Sequence, residues 1–170
     1  MSTPNILLFL TDDHAQWALG CYRNSEIRTP ALDYLAKSGV RFVNAFTPTP
    51  VCSPARACLH TGRLASQHGV HDYLASGDPS INARDWLAGQ KTLAQILHDH
   101  GYETGQIGKW HIGQDEFPPS GYDEWFTLGR GYPILHQGPL EYGFEGKHEE
   151  ITGRITHVIK HRAQQFLENR

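Results

Sequence analysis

The sequence is poor in the features that mark several protein classes. Of its 170 residues only three are cysteine and one is methionine. Cys21, Cys52 and Cys58 cannot all pair with one another, and none of their spacings is the C-x-x-C of a zinc or thiol-redox site. A disulfide framework is therefore not expected. Charge of one sign is also lacking: 15 Lys and Arg against 18 Asp and Glu leave a formal charge of -3, without the footprint needed for nucleic acid or an anionic membrane. No apolar run approaches the roughly 20 residues that cross a bilayer, and the first, Ile6 to Leu10, is too short for a secretory signal core. The expectation is a cytoplasmic chain, unless a leader has been removed. What is present is ordinary: 39% hydrophobic residues and 17 glycines suit one globular domain and exclude collagen, low-complexity and coiled-coil classes. Eleven histidines, several beside acids or glycines, point to polar clefts.

Asn5 to Leu10 is an uninterrupted apolar run closed by Thr11-Asp12-Asp13, the pattern of a strand buried on both faces of a parallel sheet with two acids at its carboxyl end. Thr29-Pro30, then Leu32, Leu35 and Ala36, then Gly39 supply the cap, first-turn proline, apolar face and stop of a short helix. Val40 to Phe46 reads as a second strand. A helix opening at Ser53-Pro54 runs to about Thr61 before Gly62, and another spans Thr92 to His100 before Gly101. Tyr102 to Gly108 follows as a third strand, and this alternation predicts an α/β sheet. From Gly113 to Gly146 no period is sustained, which predicts a long surface excursion packed by its own rings. Ile151, Ile155, Val158, Ile159, Arg162 and Phe166 recur at helical spacing and place a last helix from about Thr152 to Glu168. Three strands buried on both faces make a poor free-standing sheet, so residues 1–170 read as the front portion of one larger domain.

The segment richest in chemistry is Val51-Cys52-Ser53-Pro54-Ala55-Arg56. A cysteine there sits at the positive end of a helix dipole, with an arginine one turn further on the same face. Its plain alternative is a small buried thiol. Cys52-x-Pro54-x-Arg56 with Leu59-His60-Thr61-Gly62-Arg63 resembles the signature of the formylglycine-dependent sulfatases, a type I family within the alkaline-phosphatase-like superfamily. Pro4 to Asp13 and Gly108-Lys109-Trp110-His111-Ile112-Gly113 resemble two further signatures of that family, in its order. The likeness runs clearly from about Pro4 to Gly113. It implies an α/β fold with a mostly parallel sheet flanked by helices, present here as an incomplete N-terminal portion.

Carried over residue by residue, the resemblance makes Cys52 the residue oxidised to an aldehyde by a formylglycine-generating maturation enzyme, with Arg56 stabilising the charge near it. Asp12 and Asp13 become ligands of Ca2+, or Mg2+, with the modified residue 52 as a further ligand; hard oxygen donors suit both ions. Lys109 becomes the sulfate-holding cation and His111 a hydrogen-bond partner of the modified group. The implied chemistry is attack on sulfur by one hydroxyl of the hydrated aldehyde, then expulsion of sulfate by the second. Taken alone, the same residues read as an exposed acidic turn, a surface arginine and a solvated Lys-Trp-His loop. Arg63, His68 and His71 are candidates to orient the site, whereas Cys21 and Cys58 read as packing thiols. The implied substrate is a small-molecule or carbohydrate sulfate ester or sulfamate. Trp110, Tyr122, Trp125, Phe126 and Tyr132 either stack on a sugar ring or cover a core.

The later half of the family's metal and general-acid residues has no match in these 170 residues, so the chain alone is expected to be inactive or nearly so. Two alternatives stay open. One is a phosphonate monoester or phosphodiester hydrolase of the same superfamily. The other is a non-catalytic piece that associates with the missing C-terminal portion, because an unpaired apolar sheet edge seeks a partner.

Overall fold

A computed structural model describes residues 4–75, 78–129 and 137–170. The chain divides into two compact units, Met1–Phe46 and Thr47–Arg170. Among the described residues no helix is long and apolar enough to cross a membrane.

The first unit is organised by one carboxylate. Helix α1, Pro30–Ser38, opens on its first-turn proline and closes at Gly39, as its sequence requires. Asp33 in its first turn accepts from the Cys21 backbone N–H at 2.7 Å and from the Thr29 hydroxyl at 3.0 Å. Thr29 in turn accepts from Gly20 N–H at 2.9 Å, so a 3-10 turn at Gly20–Tyr22 is pinned to the helix start. A side chain at Gly20 would collide with that carboxylate. Arg41 stacks over the Tyr22 ring, 5.0 Å from its centroid, and donates to the Cys21 carbonyl.

Two expected strands are absent from this unit. Residues 5–10 and 40–46 form no ladder, and Ile6, Phe9, Val40 and Phe46 are exposed by 61, 74, 81 and 90%. An apolar run specifies a strand only where a neighbour supplies hydrogen bonds and covers its faces. Among the described residues, every strand lies between Gly105 and Arg154.

In the second unit, helix α2, Cys52–Thr61, starts one residue earlier than its Ser53-Pro54 signal and stops at Gly62, whose φ of 65° belongs to the left-handed cap. Two single turns follow, α3 (Ala65–His68) and α4 (Pro79–Asn82). In α5, Leu93–Asp99, the Thr92 hydroxyl caps the helix by accepting from Gln95 N–H at 3.2 Å. Strands β1 (Gly105–Gly108), β2 (Glu124–Leu128), β3 (Gln137–Phe144) and β4 (Lys147–Arg154) then form one sheet in chain order. Helix α6, Ile155–Glu168, ends the chain.

The α/β class stands, with helices flanking an open sheet, but the sheet is mixed. Only β1 and β2 are parallel; β3 and β4 continue it antiparallel, with Tyr142 opposite Glu149 and Gly143 opposite His148. The expected surface excursion after Gly113 therefore contains strands β2 and β3, and residues 152–154, expected in the last helix, belong to β4. Residues 130–136, including Tyr132, lie outside the described residues.

Strand β2 is the reason for the missed period. It is buried on both faces, so polarity does not alternate along it. Trp125 enters one core with Ala57, Val70, Leu74, Leu87, Trp110 and Ile112. Phe126 and Leu128 enter a second, with Leu140, Tyr142 and Ile155, on which Val158 and Ile159 of α6 pack. Trp110, Trp125 and Phe126 are 1, 5 and 5% exposed, which removes them from the sugar-stacking reading and assigns them to cores.

Gly143 lets the sheet take this form, because a Cβ there would drive into the Asp115 carbonyl. Gly143→Ala should therefore lower stability by about 2 kcal/mol through overpacking, measured as a reduced urea midpoint at unchanged m-value.

Candidate active site at the start of helix α2

Cys52, Arg56 and His60 recur at intervals of four and so share one face of α2. That face meets the carboxyl end of β1 in three successive contacts. Lys109 Nζ donates to Cys52 Sγ at 3.3 Å. The buried Arg56 guanidinium donates to the Lys109 carbonyl at 2.7 Å. The His60 ring lies against the Trp110 indole with centroids 4.7 Å apart.

His111 is tied to the same helix start by a relay through residue 74. The Ser53 hydroxyl accepts from Leu74 N–H at 3.2 Å, and the Leu74 carbonyl accepts from His111 Nε2–H at 2.9 Å. His111 has φ 57°, a left-handed value costly for a residue with this side chain. Gly113 behind it has φ 88°, and a Cβ there would strike the Arg84 carbonyl. The turn after β1 is thus held in a strained path, with Trp110 in the core between Lys109 and His111.

Physically, residue 52 receives the positive end of a ten-residue helix and a lysine ammonium at once. Both favour an anion beside it. The site lies at the carboxyl end of a parallel strand, the usual ligand position in such sheets.

Asp12 and Asp13 lie in the other unit, exposed and consecutive, with Asp13 in the left-handed region at φ 49°. Two hard, water-facing carboxylates suit Ca2+ or Mg2+ in their donor chemistry. Arg63 and His71 are exposed. His68 is buried, and its Nδ1 accepts from Val70 N–H at 3.1 Å. The ring proton therefore sits on Nε2, facing Cys58 Sγ at 3.2 Å, which makes His68 a tie within its own loop. Burial pushes the Cys58 thiol up, in keeping with a packing role.

His60 is a further residue of this face, and its spacing from Cys52 and Arg56 is legible in the sequence. Its Nδ1 is hydrogen-bonded to the Tyr122 hydroxyl at 3.2 Å, and burial drives that phenol upward. Burial first, and the Arg56 charge second, push the His60 imidazole down to about 4. An unfolded chain binds a proton there below about pH 6.5 that the folded chain refuses. The corresponding stability is complete above that pH and is lost as pH falls toward 4. Urea midpoints across this window should decline for the wild type, by an amount equivalent to about 2–3 kcal/mol. His60→Phe, which keeps a ring against Trp110 and cannot titrate, should show a clearly shallower decline.

Comparison with known proteins places the chain in a family. Residues 4–169 match the family model for Sulfatase. The chain is 34% identical over 167 residues to N-acetylglucosamine-6-O-sulfatase of Bacteroides thetaiotaomicron, covering 98% of this chain and 28% of that protein. It is 43% identical over 149 residues to human Arylsulfatase D, covering 84% of this chain and 22% of the relative. Among solved structures it resembles one in complex with its substrate D-glucosamine-2-N,6-O-disulfate, with TM-score 0.83 and 34% identity over 98% of this chain and 31% of that one. The chain thus spans less than a third of the length of these relatives. With the match running from Pro4 almost to the last residue, the chain belongs to the sulfatase family.

Proposed function

We propose that the complete protein hydrolyses sulfate esters, with a 6-O-sulfated glucosamine as the preferred substrate class. The observation that carries the reading is the Lys109 ammonium at 3.3 Å from Cys52 at the first turn of α2. The sugar class is supported by the similarity to an N-acetylglucosamine-6-O-sulfatase and to a structure holding a glucosamine disulfate.

Converted to formylglycine, residue 52 would bring a hydrated aldehyde, whose paired hydroxyls supply one oxygen for attack and another for sulfate release. A divalent cation held by Asp12 and Asp13 would supply Lewis-acid stabilisation of charge on the sulfuryl oxygens. The remaining work falls to this chain's side chains. Lys109 offers a compact, strongly hydrated charge to one face of the sulfate. Arg56 holds the Lys109 backbone and so fixes where that charge stands. The Nε2–H of His111 is committed to Leu74, which orients the ring and sets its tautomer.

The test is the complete protein co-produced with a maturation enzyme. Its residue-52 peptide should be lighter by about 18 Da, the change from thiol to aldehyde, and sulfate should be released from 6-O-sulfated glucosamine. Faster cleavage of an aryl phosphonate ester, or an unmodified cysteine after co-production, would overturn the reading. Lys109→Ala should lower kcat/KM by about 100- to 1,000-fold with the 18 Da change intact. Asp13→Asn and chelator treatment should each abolish most turnover. Full activity of Asp13→Asn in excess EDTA would remove the cation from the proposal.

A further inference from the structure

The segment following the strained turn carries a second group of ligand-type side chains, none of which touches residue 52 through the contacts above. Asp115 and Glu116 lie against the β3–β4 hairpin. The Asp115 carbonyl accepts from Trp125 Nε1 at 2.7 Å and from the Thr127 hydroxyl at 2.9 Å. The Glu116 carbonyl accepts from Gly146 N–H at 3.0 Å. Close approach of this backbone to β3 is what Gly143 permits, and His148 stands opposite Gly143 in the ladder. Main-chain bonds thus place both acids against the hairpin.

His148 lies between the two carboxylates. Its Nε2 is 2.8 Å from Asp115 Oδ1, and its Nδ1 is 3.5 Å from Glu116 Oε1. The Asp115 side chain is 2% exposed, those of His148 and Glu116 21% and 32%. A buried carboxylate at 2.8 Å is a hydrogen-bond acceptor, so the ring proton belongs on Nε2. In the neutral ring Nδ1 then turns a lone pair toward Glu116, whose carboxylate also only accepts. Their 3.5 Å separation exceeds the usual N–H···O range of about 2.7–3.2 Å. It equals, within a tenth of an ångström or so, the roughly 3.4 Å between two ligands of one tetrahedral ion with bonds near 2.0–2.1 Å. A carboxylate gripping one ring nitrogen while the other faces a ligand position is the arrangement by which proteins orient metal-binding histidines.

We propose that His148 Nδ1 and the Glu116 carboxylate bind a divalent ion of the Zn2+ class, with Asp115 as the positioning residue for the imidazole. One ligand atom from each of the three residues lies within 4.8 Å of the others, so His148 and Glu116 can share one ion with Asp115 still within reach of the ring. Imidazole with carboxylate selects Zn2+ or Co2+ over Ca2+ and Mg2+, which prefer oxygen alone. Water completes the coordination at the open Glu116 side, and with only two direct protein ligands the site is a weak one. The site does not depend on the sulfatase chemistry proposed above, and its failure would leave that reading untouched.

The test uses metal-stripped protein titrated with Zn2+ by calorimetry and with Co2+ by visible absorption. The expected result is one saturable equivalent, weakened at least tenfold by Glu116→Gln and by His148→Gln, and unmoved by millimolar Ca2+. Asp115→Asn should weaken binding by about 10- to 100-fold while keeping the stoichiometry. The partly exposed Glu116→Gln carries the decision, since a thermal melt matching the wild type shows that its fold is intact. Wild-type protein that takes up no Zn2+, or Glu116→Gln protein that binds it with unchanged stoichiometry and affinity, overturns the proposal.

Discussion

The bond from Arg56 to the Lys109 carbonyl is the constraint on which the rest of the site depends. It joins a helix to the end of a strand 53 residues later, and it does so with a buried charge whose donor has a fixed planar geometry. A charge-assisted bond of this kind contributes about 1.5–3 kcal/mol. Its larger effect is positional. With the carbonyl of residue 109 held, the Lys109 side chain reaches residue 52 and the Trp110 ring enters the core beneath His60. The cation of the site and the packing of the core are thus set by one backbone atom.

This explains why the strand end can be strained without being loose. His111 at φ 57° would relax if the chain around it were free. It is not free: Ile112 is fully buried, Leu74 holds the His111 ring, and Gln114 N–H donates to the Arg84 carbonyl at 3.0 Å. A rigid frame keeps the polar side chains of a short turn in place, which is the economical way to position charge near a substrate.

Local punctuation made the helices legible. Pro30 and Gly39 mark α1, Gly62 ends α2, and Thr92 caps α5, each through a backbone preference that acts within a few residues. The juxtaposition of Cys52 with Lys109 was reachable through family resemblance and not through spacing, because a contact across 57 residues leaves no periodic trace. The sheet was hidden for two reasons. In β2 the residues Trp125, Phe126, Thr127 and Leu128 are all buried, so no alternation exists to be read. In β3 the alternation of Leu140, Tyr142 and Phe144 was present but interrupted by Gly138, Pro139 and Gly143, residues that ordinarily argue against a strand. Conversely, the runs at 5–10 and 40–46 carried strong apolar signals without a ladder in the structure, since composition cannot say which neighbour will pair.

Those exposed runs bear on how residues 1–170 behave in solution by themselves. Ile6-Leu7-Leu8-Phe9-Leu10 is uncharged, free of proline and open to solvent, the profile of a segment that nucleates aggregates. Its immediate neighbours are Thr11, Asp12 and Asp13, and charges flanking such a segment act as gatekeepers that keep it colloidally stable. Arg41 has the same place inside the other run, between Val40 and Phe42. Within residues 1–170, Asp12 and Asp13 thus oppose self-association of the apolar run beside them as well as offering hard oxygen donors.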